Sequence, residues 1–265
     1  MPAGLKTVAT IPCMSKHNFK LKNVIQATLG YFGYSLSKNF YPDFEDDFRT
    51  MQPAVKTFTM TGVLNQYAMY KAVEYIEKNS IEGDIVECGV WKGGVMMLGA
   101  LTLQQFGDTD RNLYLYDTYA GMSQPTEFDV NLTGWNASER WQQLKRGIGS
   151  DWCAASLSEV QENMETTGYP KDKIHYIKGK VEDTIPQNMA ERIAILRLDT
   201  DFYESTKHEL IHLFPRLTCG GVLIIDDYGH WKGSARAVDE YFKEKNIKVF
   251  LNRIDYTARL AIKIS

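Results

Sequence analysis

Short apolar runs alternate along the chain with stretches in which apolar residues return every three to four positions. Between residues 62 and 79, Leu64, Tyr67, Ala68, Ala72, Tyr75 and Ile76 fall near helical spacing and predict a long amphipathic helix. Beyond it the pattern predicts strand 85–88, helix 94–105, strand 113–116, helix 157–165, strand 174–177, strand 193–198, helix 203–213, strand 222–225, helix 234–244 and two terminal strands, 248–251 and 259–264. Strands separated by helices are joined by crossovers and run parallel, so a doubly wound α/β fold with helices on both faces is expected. Residues 252–258 are too few for a crossover helix. The last two strands should therefore close a seven-stranded, mostly parallel sheet as an antiparallel C-terminal edge hairpin.

Two segments fall outside this alternation. Residues 1–58, rich in Lys, Asn, Phe and Tyr, carry no chemistry-bearing pattern and are expected to form an N-terminal cap, leaving a core domain at 59–265. About forty residues between 117 and 157 hold Trp135, Trp141 and Trp152 without a clear period, which is long for a loop in a compact domain. They predict a lid over about 123–156.

Charge narrows the partners. The 265 residues hold 30 Lys and Arg against 33 Asp and Glu, without the basic excess that phosphate neutralisation needs, so nucleic acid is not an expected partner. No apolar run is long enough to span a bilayer and the first residues do not resemble a secretory signal, so no membrane contact and a cytoplasmic location are expected. Cys13, Cys88, Cys153 and Cys219 lie far apart, which suits reduced thiols better than disulfides or a zinc knuckle.

Candidate chemistry gathers at the predicted strand ends. Glu87-Cys88-Gly89-Val90-Trp91-Lys92-Gly93-Gly94 is a glycine turn into a helix, where backbone can approach a ligand and unpaired N–H groups are available. Asp117, at the tip of the next strand, is placed to accept from ribose hydroxyls, or else to cap a turn. Glu182 or Asp183 could reach an adenine amino group. Because the dinucleotide glycine fingerprint is absent, these features favour an adenosyl ligand over NAD. Two acidic words, Asp199-Thr200-Asp201 and Asp226-Asp227, end strands expected to be neighbours; four converging carboxylates would repel unless a divalent cation, Mg²⁺ by preference, lay between them or some of them capped helices. His208-Glu209-Leu210-Ile211-His212 matches the H-E-x-x-H zinc pattern, but Pro215 follows at once and no third ligand stands at a suitable spacing.

The words 87–94, Tyr116-Asp117-Thr118-Tyr119-Ala120-Gly121-Met122, Lys180-Val181-Glu182-Asp183-Thr184-Ile185-Pro186, Leu198-Asp199-Thr200-Asp201 with Tyr203-Glu204-Ser205-Thr206, and Ile225-Asp226-Asp227-Tyr228-Gly229 resemble those of the macrocin-type O-methyltransferases of antibiotic biosynthesis. That family methylates sugars with S-adenosylmethionine and magnesium. The resemblance covers residues 59–262 and departs mildly at Trp91-Lys92, where Trp-Arg is frequent. It implies a Rossmann-like class I methyltransferase fold and a homodimer or higher homo-oligomer. It also implies cofactor contacts at Glu87, Gly89, Trp91, Gly93, Asp117, Thr118, Gly121, Met122, Glu182, Asp183 and Asp199. By the same resemblance Asp199, Asp226 and Asp227 are Mg²⁺ ligands and Asp201 is the general base.

The expected activity is methyl transfer from S-adenosylmethionine to a hydroxyl of a small natural-product acceptor, a sugar or related diol. A phenol or catechol acceptor is the alternative within the class, since two adjacent oxygens would chelate a metal equally well. A non-catalytic adenosyl-binding scaffold and a zinc hydrolase are the alternatives outside it.

Overall fold

The uninterrupted apolar run at 193–196 needs cover on both faces, and it lies in the middle of a sheet with helices on either side. The computed structural model describes Thr28, residues 41–147 and residues 149–264. The chain divides into two units, residues 1–43 and 44–265. Cys13, His17 and most of the predicted cap at 1–58 lie outside the described residues.

In the second unit, helices α1 (Asp46–Val55) and α2 (Val63–Lys78) precede β1 (Asp84–Cys88), α3 (Gly94–Gln105) and β2 (Leu113–Asp117). Helix α4 (Ala137–Leu144) and the two-residue strands β3 (Lys145–Arg146) and β4 (Gly149–Ser150) come next, followed by α5 (Leu157–Glu165), β5 (Ile174–Lys178) and the short α6 (Val181–Thr184). The chain continues through β6 (Ile193–Leu198), α7 (Tyr203–His212), β7 (Leu217–Ile225), α8 (Lys232–Glu244), β8 (Asn252–Arg253) and β9 (Arg259–Ile262). The sheet order is β5-β2-β1-β6-β7-β9-β8, parallel except where β9 pairs with β7 and β8. The expected seven-stranded α/β sheet with an antiparallel edge is present. Its direction of winding reverses between β1 and β6, which makes their C-terminal ends the ligand crevice of such a sheet.

Side-chain alternation gives the two faces different work. Val86 and Cys88, Leu196 and Leu198, and Leu223 and Ile225 pack with Leu210, Val238 and Tyr241 of α7 and α8. The intervening residues, Glu87 and Arg197 among them, face the α2 side, where Arg197 bonds Thr61 just before that helix. Helix α3 is apolar nearly all round because α1, α2 and α5 enclose it.

Four expectations shift. The strand expected at 248–251 is unpaired, and pairing begins at Asn252. Ile247, Val249 and Leu251 pack on the α8 face while Lys248 and Phe250 are exposed, so the two-residue period there marks a covered face and not a ladder. Strand β9 stops at Ile262 instead of 264, and β7 starts at Leu217 instead of 222. The lid carries structure that its composition hid: the Asn136 side chain caps α4 by accepting from Ser138 N at 2.8 Å, and the Trp141 indole donates to the Met122 carbonyl at 3.0 Å.

At the crevice, Gly89 has φ +85° and a Cβ there would lie 2.1 Å from the Asp199 carbonyl oxygen. Both the left-handed backbone and the contact exclude a side chain. Gly89→Ala is expected to lower stability by about 2–4 kcal/mol, the sum of a left-handed penalty and overpacking. Urea denaturation would measure it, and a change below 1 kcal/mol would contradict this close approach.

Candidate active site

The ladder continues one residue past the strands. Gly89 N donates to Tyr116 O at 2.8 Å, Asp199 N to Cys88 O at 2.8 Å and Asp226 N to Leu198 O at 2.9 Å. These bonds bring Gly89, Asp199 and Asp226 to one level at the sheet edge. Glu87, Gly89, Trp91, Asp117, Thr118, Gly121, Met122, Glu182, Asp199, Asp201, Asp226 and Asp227 line a single cavity there. Gly93 and Asp183 do not line it. Gly93 turns away to cap α3, packing near Val160 of α5, and Asp183 stands on the exposed side of α6. Of the two acids expected near adenine, Glu182 is the one facing the cavity.

Asp117 has a fuller set of partners than its position alone suggests. Its Oδ2 accepts from Val90 N and Trp91 N, both at 3.0 Å, and its Oδ1 from Tyr119 N at 2.8 Å. The carboxyl thus staples the glycine turn to the tip of β2, and burial raises its pKa against the pull of those three N–H groups. The turn-capping alternative is the one these bonds show, and Asp117 also lines the cavity.

The charged centre is Arg197. It stands beside Glu87 in register on β6 and β1 and is 1% exposed. Nη1 bonds Glu87 and reaches Asp199 Oδ2 at 2.6 Å; Nη2 reaches Asp226 Oδ1 at 3.0 Å and Thr61 Oγ1 at 3.0 Å. Asn65 also donates to Asp226 Oδ1, at 3.2 Å. One guanidinium thereby aligns three carboxylates, and these in turn hold it fully charged. Reasoning from sequence missed this role. The available signal was a lone cation inside an otherwise apolar strand.

Asp199, Asp226 and Asp227 each present an oxygen within 4.8 Å of the others, a spacing that could hold a cation. Among the described residues no other group of His, Cys, Asp and Glu has this arrangement. The H-E-x-x-H segment does not: His208 Nε2 lies 3.1 Å from the Ile185 carbonyl, and Glu209 points inward to Thr200. Asp227 Oδ2 is buried without a partner. Burial pushes Asp199 and Asp227 well above the usual carboxylate range and Asp201 to about 6.

Asp201 adopts a left-handed backbone, φ +68°, which turns its carboxylate out of line with Asp199. Its Oδ2 accepts from the Trp231 indole at 3.1 Å. Trp231 is buried against Phe202 and Trp152, with ring centroids 5.7 Å and 6.3 Å away, and half-exposed Trp135 lies 6.0 Å from it. His230 Nδ1 and the Tyr256 hydroxyl, 2.7 Å apart, complete the wall. Another missed residue is Asp129 of the lid. Fully buried, it accepts from Tyr203 N at 2.8 Å and so caps α7, and no local sequence signal pairs it with that helix.

Comparison with known proteins bears on this geometry. The macrocin-O-methyltransferase (TylF) family model matches residues 16–261. An 8-demethyl-8-(2,3-dimethoxy-alpha-L-rhamnosyl)-tetracenomycin-C 4'-O-methyltransferase of Streptomyces olivaceus is 34% identical over 75% of this chain and 73% of its own. A mycinamicin III 3''-O-methyltransferase of Micromonospora griseorubida is 32% identical over 64% of this chain and 65% of its own. The solved structure of the O-methyltransferase NovP superposes with TM-score 0.69 and 28% identity, covering 78% of this chain and 83% of that one. The chain belongs to the macrocin-O-methyltransferase family and is an O-methyltransferase. No helix among the described residues is long and apolar enough to cross a membrane.

The raised carboxylates give a signed pH dependence. A group whose pKa is higher folded than unfolded adds stability at low pH and loses it as pH rises through the folded value. In metal-free protein the melting temperature should therefore fall between pH 5.5 and 8, across the values of about 6 for Asp201 and about 7 for Glu87. Asp227→Asn, which removes one raised carboxylate, should restore at least ~1 kcal/mol, or about 2–4 °C, at pH 8. Scanning calorimetry in chelator would show it, and a variant less stable at pH 8 than at pH 5.5 by the wild-type margin would contradict it.

Proposed function

We propose that this enzyme transfers the methyl group of S-adenosylmethionine to a hydroxyl of a sugar, or a related diol, carried by a natural-product scaffold, with a divalent cation held by Asp199, Asp226 and Asp227. The observation that carries the reading is the acidic trio lining one cavity together with Asp201 and the glycine turn. The name of the tetracenomycin relative supports a sugar acceptor, since its substrate carries a rhamnosyl group.

The donor set fits a hard cation. Three carboxylates supply oxygen alone, Asp227 keeps an unpartnered buried oxygen, and Arg197 balances only part of the local negative charge. When bound, Mg²⁺ would supply Lewis acidity at the acceptor hydroxyl. When bound, S-adenosylmethionine supplies a methyl group on a sulfonium centre.

The chain's own residues do the rest. Gly89 lets the backbone approach the cofactor, Asp117 keeps the glycine turn shaped for it, and Glu182 faces the adenine end. Asp201 takes the proton of the acceptor hydroxyl as general base, and Trp231 orients it through the indole N–H. Trp152 and Trp231 line the cavity beside Asp201, where they would keep water from the acceptor hydroxyl. The aromatic wall also suits a phenol or catechol, the second reading.

Cofactor consumption should be followed by S-adenosylhomocysteine formation across acceptors with free sugar diols and across catechols. Sugar diols are expected to turn over faster, chelation to abolish turnover while S-adenosylhomocysteine still binds, and Mg²⁺ to restore it. Asp201→Asn is expected to cut the single-turnover rate by ~10²–10⁴-fold with cofactor affinity intact. Full activity in chelator would overturn the metal, and a near-normal Asp201→Asn rate would overturn the base.

A further inference from the structure

Glu209, the acid of the H-E-x-x-H segment, takes no part in the chemistry above, yet it is wholly buried on α7 directly behind the acidic turn. Its Oε1 accepts the Thr200 hydroxyl at 2.9 Å, and its Oε2 is buried with no partner. The groups acting on it are Thr200, Cys88 and Glu182, none of them cationic. An ionised carboxylate so placed would be costly, and burial pushes this carboxyl well above the usual carboxylate range.

Alternation along β6 explains the placement. Arg197 and Asp199 point to the α2 side; Leu198 and Thr200 point to the α7 side. The turn is thus gripped from both faces of the sheet, at Asp199 by Arg197 and at Thr200 by Glu209. Asp201 follows in a left-handed conformation that a non-glycine residue keeps only when its surroundings hold it there. Thr200 O accepts from Phe202 N at 2.8 Å, so fixing Thr200 fixes the chain on both sides of Asp201.

We propose that Glu209 is a positioning residue of the methyl-transfer site, a buried clamp on Thr200 that sets the turn aiming Asp201 at the acceptor. Its importance for rate rests on the reading of Asp201 as base; its effect on the turn does not. The indole N–H of Trp231, bonded to Asp201, reports the position of that carboxylate without acceptor or metal. Trp141, whose indole bonds Met122 O in the lid, is an internal control.

The test is nitrogen-15 NMR of the five tryptophan indoles, with the Trp231 and Trp141 signals assigned by Trp231→Phe and Trp141→Phe. Glu209→Gln keeps an acceptor for Thr200 and should leave the Trp231 signal and its slow solvent exchange unchanged. Glu209→Leu and Thr200→Val should each shift that signal and speed its exchange by at least ~10-fold, with Trp141 unmoved. Their S-adenosylhomocysteine affinity should stay within ~3-fold of wild type, and the double variant should go no further than the worse single one. If Glu209→Leu does not fold, Thr200→Val makes the same test from the other end of the hydrogen bond. The proposal is overturned if Trp231 is unmoved in Thr200→Val, if Trp141 moves together with Trp231, or if Glu209→Gln behaves like Glu209→Leu. A failure of Asp201 as base would appear separately, as an Asp201→Asn rate near normal beside an intact indole result.

Discussion

The arrangement of the site depends on one buried guanidinium. Arg197 sits where the sheet reverses its winding, and its four hydrogen-bonding partners come from β1, the ends of β6 and β7, and the segment before α2. An unpaired buried arginine would be strongly destabilising, so the fold tolerates it only with those carboxylates in place. The converse also holds. Glu87, Asp199 and Asp226 could not crowd together at a dry sheet edge without a fixed positive charge between them. A structural requirement and a chemical one are met by the same ion pairs.

The remaining acids extend this arrangement toward the acceptor. Asp227 and Asp201 form no ion pair with the guanidinium, and Asp227 keeps a buried oxygen without a partner, so theirs are the oxygens of the cluster left to a ligand. The segment after β2 is tied to the same edge through backbone bonds, with Leu132 N donating to His230 O at 3.2 Å and Lys232 N to Val130 O at 2.9 Å. It also contributes Asp129 as the cap of α7. The segment is therefore joined to the helix that carries Glu209.

Much of this was legible in the sequence, for physical reasons that also explain the gaps. Strand–helix alternation reports burial periodicity, and so it located the parallel core and the strand ends, hence Glu87, Asp117, Asp199 and Asp226 at one edge. It could not tell a paired strand from a covered extended segment, which is why 248–251 was read as a strand. Nor could it read lid elements whose stability comes from long-range contacts, such as Asn131 bridging to Trp231 or Asp129 capping Tyr203. Gly93 and Asp183 were drawn in because they adjoin site residues along the chain; a left-handed turn at Gly93 and the outer side of a one-turn helix at Asp183 send them elsewhere. Arg197 and Glu209 act through opposite faces of one strand end, a relation visible only once the faces are assigned.

The central claim is that Asp199, Asp226 and Asp227 hold a divalent cation beside an Arg197 that remains in its ion pairs. Anomalous diffraction from crystals grown with Mn²⁺ and S-adenosylhomocysteine tests it most directly. The account predicts a manganese peak within coordination distance of all three carboxylates, with Arg197 still bonded to Glu87. A structure with cofactor bound, no peak among the three acids and Arg197 unchanged would contradict it.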